Sequence, residues 1–143
     1  MLDKFGFSAN NVTYAAAGDQ LGYWQFFPAS DNESKAWGII PVWGFADVVA
    51  SNAQGVDAGE RIFGYFPTSS YLKMQNVKVL DNRLIDGAEH RSKLPPGYNT
   101  YRRVEREAGY DRSMDDSRML LWPLYITSFC LWDSLQHNNW HGA

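Results

Sequence analysis

A chain of 143 residues, 45% hydrophobic and 20% charged, has the length and composition of one globular domain able to bury a core. A formal charge of −3 argues against nucleic-acid and anionic-membrane partners, and no apolar run approaches the ~18 residues that span a bilayer. One cysteine, Cys130, excludes an internal disulfide and a multi-cysteine metal cage. The start MLDKFGFSANN lacks the basic and long apolar stretches of a signal peptide, so a cytoplasmic location is expected.

In chain order, residues 2–8 predict a strand, ending where Ser8-Ala9-Asn10-Asn11 offers turn and cap chemistry. Residues 12–17 predict a helical turn closed by Gly18-Asp19. Residues 19–38 alternate aromatics with turn formers, which predicts a long ordered loop with a polar tip at 30–35. A nearly continuous apolar strand follows at 42–51, then a loop at 52–59 and a second strand at 61–66. Gly59 permits a positive φ at the turn into that strand, and Arg61 is placed to snorkel over a rim. A short strand is expected at 77–80.

Residues 81–118 hold most of the charge, and Pro95-Pro96-Gly97 forbids a continuous element there, so this segment reads as an irregular, largely exposed excursion. Beyond it, MLLWPLYITSFCLWDSL (119–135) is strongly apolar. Asp115 or Ser117 is placed to cap a short helix, with a second helix starting after Pro123. Cys130, among Phe129, Leu131 and Trp132, is expected to be buried and inert. Aromatics make up 15% of the chain, with six Trp and eight each of Tyr and Phe, a density that fills cores more often than it binds ligands.

The order of these pieces resembles the N-terminal half of the medium-chain dehydrogenases/reductases, especially quinone oxidoreductases. SANNVTY (8–14) is similar to their Gly-Val-Asn-Pro-x-Asp-Tyr stretch, with Asn10 on its asparagine and Tyr14 on its tyrosine. PVWGFADVVAS (41–51) and VDAGERIFGY (56–65) resemble their Pro-Gly-x-Glu-x-x-Gly-x-Val and Val-x-x-Gly-Asp-Arg-Val-x-Gly segments. ITSFCLWDSL (126–135) resembles their crossover helix. A small bacterial family without assigned function within this group is closer still. Its blocks match SANNVTYA, LGYWQFFP, WGFADVV, GERIFGYFP, LPPGYNTYRR and PLYITSF, in that order and over nearly the whole chain.

The resemblance implies a mainly β fold with short helices, a partly open chaperonin-10-like (GroES-like) β-barrel. Residues 1–118 would form that barrel, incomplete and with the charged excursion at 81–118, and 119–143 a helical crossover toward a missing nucleotide-binding Rossmann half. On this expectation the sequence is an internal fragment, marginal or aggregation-prone alone. The function implied is the substrate side of a zinc-independent NADP(H)-dependent oxidoreductase acting on a quinone or enone-like carbonyl compound. It leaves a homodimer of the full-length parent open. The rival is a non-catalytic small-molecule-binding or scaffold barrel of the same fold.

By resemblance the zinc-ligand positions of the superfamily's alcohol dehydrogenases fall on Asn10, Phe45 and Pro123, and their glutamate on Ala46. None supplies a thiolate, imidazole or carboxylate, so no zinc is expected. His137 and His141 are four apart, too few for a metal site, and read as polar surface. The implied catalytic pair is Asn10 and Tyr14. Asn10 either donates to a substrate carbonyl or caps the turn behind it, and Tyr14 either stabilises charge as hydride arrives or is a half-buried core residue. Thr127 resembles the threonine that contacts nicotinamide, and a plain helix-start threonine is the competing reading. Trp24, Trp43, Tyr65 and Phe66 either wall an apolar substrate pocket or fill the core. His90 and the arginines at 91, 102, 103 and 106 either meet a phosphate or form a solvated face, the reading favoured by the interleaved acids.

Overall fold

The computed structural model describes residues 1–29 and 37–140. Six strands, β1 (Leu2–Gly6), β2 (Pro41–Asp47), β3 (Arg61–Pro67), β4 (Lys78–Val79), β5 (Arg83–Ile85) and β6 (Thr100–Arg103), form one antiparallel sheet in the order β1-β2-β3-β6-β5-β4. Two α-helices, α1 (Ala9–Ala16) and α2 (Asp115–His137), complete it. The fold is mainly β, an open sheet consistent with a partly open barrel, with a C-terminal helix. No helix among the described residues is long and apolar enough to cross a membrane. The polar tip expected at 30–35 lies outside the described residues.

β2 and β3 pair in full register from Pro41↔Pro67 to Asp47↔Arg61. The loop between them closes through Gly59, at φ +92, whose N–H donates to the Val48 carbonyl at 2.7 Å. Because successive side chains point to opposite faces, even positions (Val42, Ala46, Ile62, Phe66) meet Leu84 and Tyr101 on one face. Odd positions (Trp43, Phe45, Phe63, Tyr65) build the other. The first face is covered by Val56 and by partly buried Leu72, Met74 and Val77. The second is covered by α1, Phe26, Phe27 and the start of α2. Burial on both faces explains the unbroken apolarity of β2 and β3.

The charged segment at 81–118 is largely exposed, as expected, but it is not wholly irregular. It supplies β5 and β6, with β6 between β3 and β5, and Leu84, Tyr101 and Val104 are buried. Part of its charge is matched in buried pairs. Arg91 bonds Asp86 and lies over the Phe27 ring, while Arg103 bonds Glu60 (2.7 Å) and the Leu80 and Gly55 carbonyls (3.1 and 2.7 Å). A guanidinium whose donors are satisfied packs like a large flat side chain.

Arg61 departs furthest from expectation. It does not snorkel; its side chain is 1% exposed. Nε and Nη2 donate to Asp115 at 3.2 and 2.8 Å, Nη1 to Asp47 at 2.9 Å, and Nη2 also to Asp3 at 2.8 Å. The guanidinium lies 5.0 Å from the Phe45 ring centroid. Burial alone would lower its pKa; the Asp115, Asp3 and Asp47 carboxylates outweigh that and hold it above the ordinary value. One residue of β3 thus fastens β1, β2 and the first residue of α2.

α2 is also one helix, not two. Pro123 lies inside it and has no N–H, so the Met119 carbonyl loses its intrahelical donor. The residue before a proline resists the α conformation. Here Trp122 is gripped edge-on by Phe63 (6.0 Å) and by Arg118 (5.6 Å). Gly6 lies against the freed carbonyl, where a Cβ would come within 2.9 Å of the oxygen. Neither Asp115 nor Ser117 is the cap: Met114 holds that position and Asp115 is the buried first residue. Past Ile126 the helix projects from the body with Phe129, Leu131 and Trp132 exposed, and Cys130 is exposed rather than buried.

Arg61→Met should destabilise the fold by ~3–5 kcal/mol, because Asp115, 1% exposed, would be left buried without its counter-charge. Urea unfolding measures this. The double variant Arg61→Met/Asp115→Leu should recover a large part of the loss; an unchanged midpoint in the single variant would show the cluster to be dispensable.

Candidate functional site

α1 starts at Ser8, extended at φ −138. The Ser8 N–H donates to Asn11 Oδ1 at 2.7 Å, and Asn11 Nδ2 donates to the Pro41 carbonyl at 2.9 Å. Asn11 therefore pins α1 against the start of β2. Asn10 is not the cap; it lies within the helix, on one face with Thr13 and Tyr14, three and four residues on.

That face borders a cleft of about 600 Å³. Asn10, Thr13 and Tyr14 line it from α1, Trp43 and Phe63 from β2 and β3, Tyr98, Thr100 and Arg102 from the segment entering β6, and Trp122, Ile126 and Thr127 from α2. Behind it stands an aromatic cluster centred on the fully buried Tyr65. Its ring centroid is 4.6 Å from Tyr98, 5.3 Å from Trp43 and 5.7 Å from Tyr14, which meets it edge-on. Such a cluster fixes the wall at little entropic cost, since each ring has only two side-chain torsions.

The hydroxyls here keep their protons. Burial pushes the Tyr14 pKa up, the neighbouring Trp43 indole N–H draws it partly back, and Tyr23 adds to the rise. Trp43 Nε1 nevertheless reaches no partner in good hydrogen-bond geometry. Burial likewise raises Tyr98, whose hydroxyl lies 3.4 Å from that of Tyr23. The lining, among the described residues, holds no carboxylate, imidazole, thiol or serine, and Arg102 is its one charged side chain. The chemistry on offer is hydrogen-bond donation, neutral except at Arg102, between aromatic faces.

Of the sequence-derived candidates, Asn10, Tyr14, Trp43 and Thr127 share this cleft. Thr127 is not at a helix start. It lies well inside α2, and its hydroxyl donates to the Pro123 carbonyl at 2.9 Å, so no helix N-terminus assists it. Trp24 is outside the lining, wedged against Gly18 and Gly38, where an added Cβ would come within 2.1 and 2.5 Å of the indole. Tyr65 stands behind the wall, and Phe66 is on the opposite face of the sheet. Arg91 and Arg103 are neither phosphate ligands nor a solvated face but buried ion-paired residues; Arg106 pairs with Asp81 at 3.3 Å on the surface. His90 Nε2 lies 3.3 Å from the Phe26 carbonyl. Phe45 is fully buried, and no group of three or more His, Cys, Asp or Glu among the described residues could hold a metal. His141 lies outside the described residues.

Sequence reasoning missed Tyr98 and Trp122; Arg102, which it offered only as a phosphate contact or part of a solvated face, also lines the cleft. A signal for the side Arg102 faces was available: in Thr100-Tyr101-Arg102-Arg103 the side chains alternate, and Tyr101 is the apolar member that marks a strand.

The family model described as "Protein of unknown function (DUF2855)" matches residues 5–143. No curated protein and no solved structure matches the chain.

The raised tyrosines make a pH prediction. Above about pH 10 the unfolded chain loses phenolic protons that the folded chain retains, so stability is full below that pH and falls as pH rises toward the folded-state values. Thermal melting from pH 8 to 11 should show a falling Tm, and Tyr98→Phe should make the fall shallower. An equal slope in the variant would show that Tyr98 is not desolvated.

Proposed function

The chain belongs to the DUF2855 family of proteins of unknown function, and on that premise we propose that it is the substrate side of a zinc-independent, NADP(H)-dependent oxidoreductase acting on a quinone or enone-like carbonyl compound. One observation supports this reading most: Asn10, Tyr14, Trp43 and Thr127, far apart in sequence, border a single aromatic cleft. The open antiparallel sheet is compatible with the GroES-like half of a medium-chain dehydrogenase/reductase, with the nucleotide phosphates held by a nucleotide-binding half of a cytoplasmic parent protein.

A flat conjugated substrate suits this cleft because Trp43, Tyr98 and Trp122 offer ring faces and edges to it. Tyr14, held neutral by burial, is a donor for a carbonyl oxygen on which negative charge grows. The Asn10 amide is a second donor. Thr127 spends its proton on Pro123, so its hydroxyl offers lone pairs, which fits the amide N–H of a nicotinamide. NADPH, when bound, supplies the hydride; the chain's own residues orient the acceptor and exclude water.

The lack of any carboxylate, imidazole or thiol in the lining favours a second reading, a non-catalytic binding barrel of the same fold. Cofactor titration and NADPH oxidation against naphthoquinones and enones, using the full-length protein, separate the two. Turnover is expected, with Tyr14→Phe lowering kcat by ~10- to 1000-fold through loss of one oxyanion donor. Absence of both NADPH and NADH binding would leave the binding barrel in place of the enzyme.

A further inference from the structure

We infer that the cleft takes a flat ligand bearing an anionic group, a carboxylate or a phosphate, and that Arg102 is the residue that reads it. This rests on the cleft being the substrate site proposed above, and goes beyond it by naming the charge of the substrate.

The argument starts from how this protein treats its other deeply set arginines. Arg61, Arg91, Arg103 and Arg118 are each matched by a carboxylate, Arg118 with Glu107 at 2.6 Å. Arg102 is half-buried at the wall of an aromatic cleft and has no carboxylate partner among the described residues. Its cross-strand neighbour makes this worse. The β5–β6 register sets Arg83 directly opposite Arg102, on the same face of the sheet, and Arg83 likewise has no carboxylate partner among the described residues. Like charges directly opposite destabilise a strand pair. An anion placed between or beside them would remove that repulsion, and the fork of Arg102 can grip it with two parallel hydrogen bonds. The hydroxyls of Thr100 and Thr13 line the same space and can share the anion's remaining lone pairs. Since Trp43 and Tyr98 line the same cleft, the anion belongs at one end of a flat apolar body.

The test compares binding of anthraquinone-2-carboxylate with that of its neutral isostere 2-(hydroxymethyl)anthraquinone to the full-length protein, read by quenching of tryptophan fluorescence. The carboxylate should bind ~10-fold tighter at low salt, in line with a charge-assisted, bidentate contact. Arg102→Gln should bring the ratio of affinities to about one, and Arg102→Lys should keep part of it as a point charge without the fork. Arg83→Gln should reduce the ratio only about twofold. Thermal melting checks folding, and Arg102→Gln should melt no lower than the parent because a repulsion is removed. A ratio near one in the unaltered protein, or one that survives in Arg102→Gln, overturns the inference. If Arg102→Gln instead weakens NADPH and leaves the ratio unchanged, the anion is the cofactor's phosphate and the substrate assignment is wrong. Loss of the ratio in Arg102→Gln without any nicotinamide-dependent turnover would fault the oxidoreductase reading alone and leave the anion site standing.

Discussion

The structure hangs on Arg61. A guanidinium in the middle of a packed domain is tolerable only if its donors are used, and Asp115, Asp47 and Asp3 use them from three different elements. Since α2 begins at Asp115, the cluster fixes where that helix leaves the sheet. Two turns on, Trp122 lands against Phe63, and the next turn brings Ile126 and Thr127 to the cleft. The α2 side of the cleft is thus placed by an ion cluster at the start of that helix. Stability and site geometry have a common origin here.

That dependence also decides what the sequence reveals. β1, β2 and β3 are legible because their signal is local: aromatic and β-branched residues in short runs, bounded by Asn, Gly and Pro. α1 is legible within a few residues. β5 and β6 are not, since they are short and carry charges whose partners lie elsewhere. Arg103 finds Glu60 across 43 residues and Arg61 finds Asp115 across 54, distances over which composition says nothing. A charge run reads as solvated until its partners are known. Pro123 misleads for the same reason: the packing of Trp122 that keeps the helix intact is tertiary. The site divides along this line. Family resemblance points to Asn10, Tyr14 and Thr127, while Tyr98 and Trp122 enter the cleft through packing that only the folded chain displays, and Arg102, one of four arginines offered together, is singled out only by its strand pairing.

The aromatic cluster shows a second kind of compromise. Tyr65 is wholly buried, and its hydroxyl has no hydrogen-bond partner among the described residues, as is also true of the Trp43 indole N–H beside it. Each such group costs about 1–3 kcal/mol relative to a satisfied one. Phenylalanine would avoid the cost at position 65. Beside these groups burial pushes the Tyr14 pKa up, and the proximity of the Trp43 N–H draws it only partly back.

Pro123 divides α2 into two mechanical parts. The turns before it are bolted to the sheet through Asp115 and Trp122, whereas the turn after it borders the cleft and the helix beyond is exposed. The cleft touches both, Trp122 on the anchored side and Thr127 on the projecting one. Thr127 lies about 6 Å along the axis from the proline, so a 20° bend there swings it by about 2 Å. The mouth of the cleft is therefore bordered by one wall packed on the sheet and one carried on exposed turns, so that a bend at Pro123 would change its width.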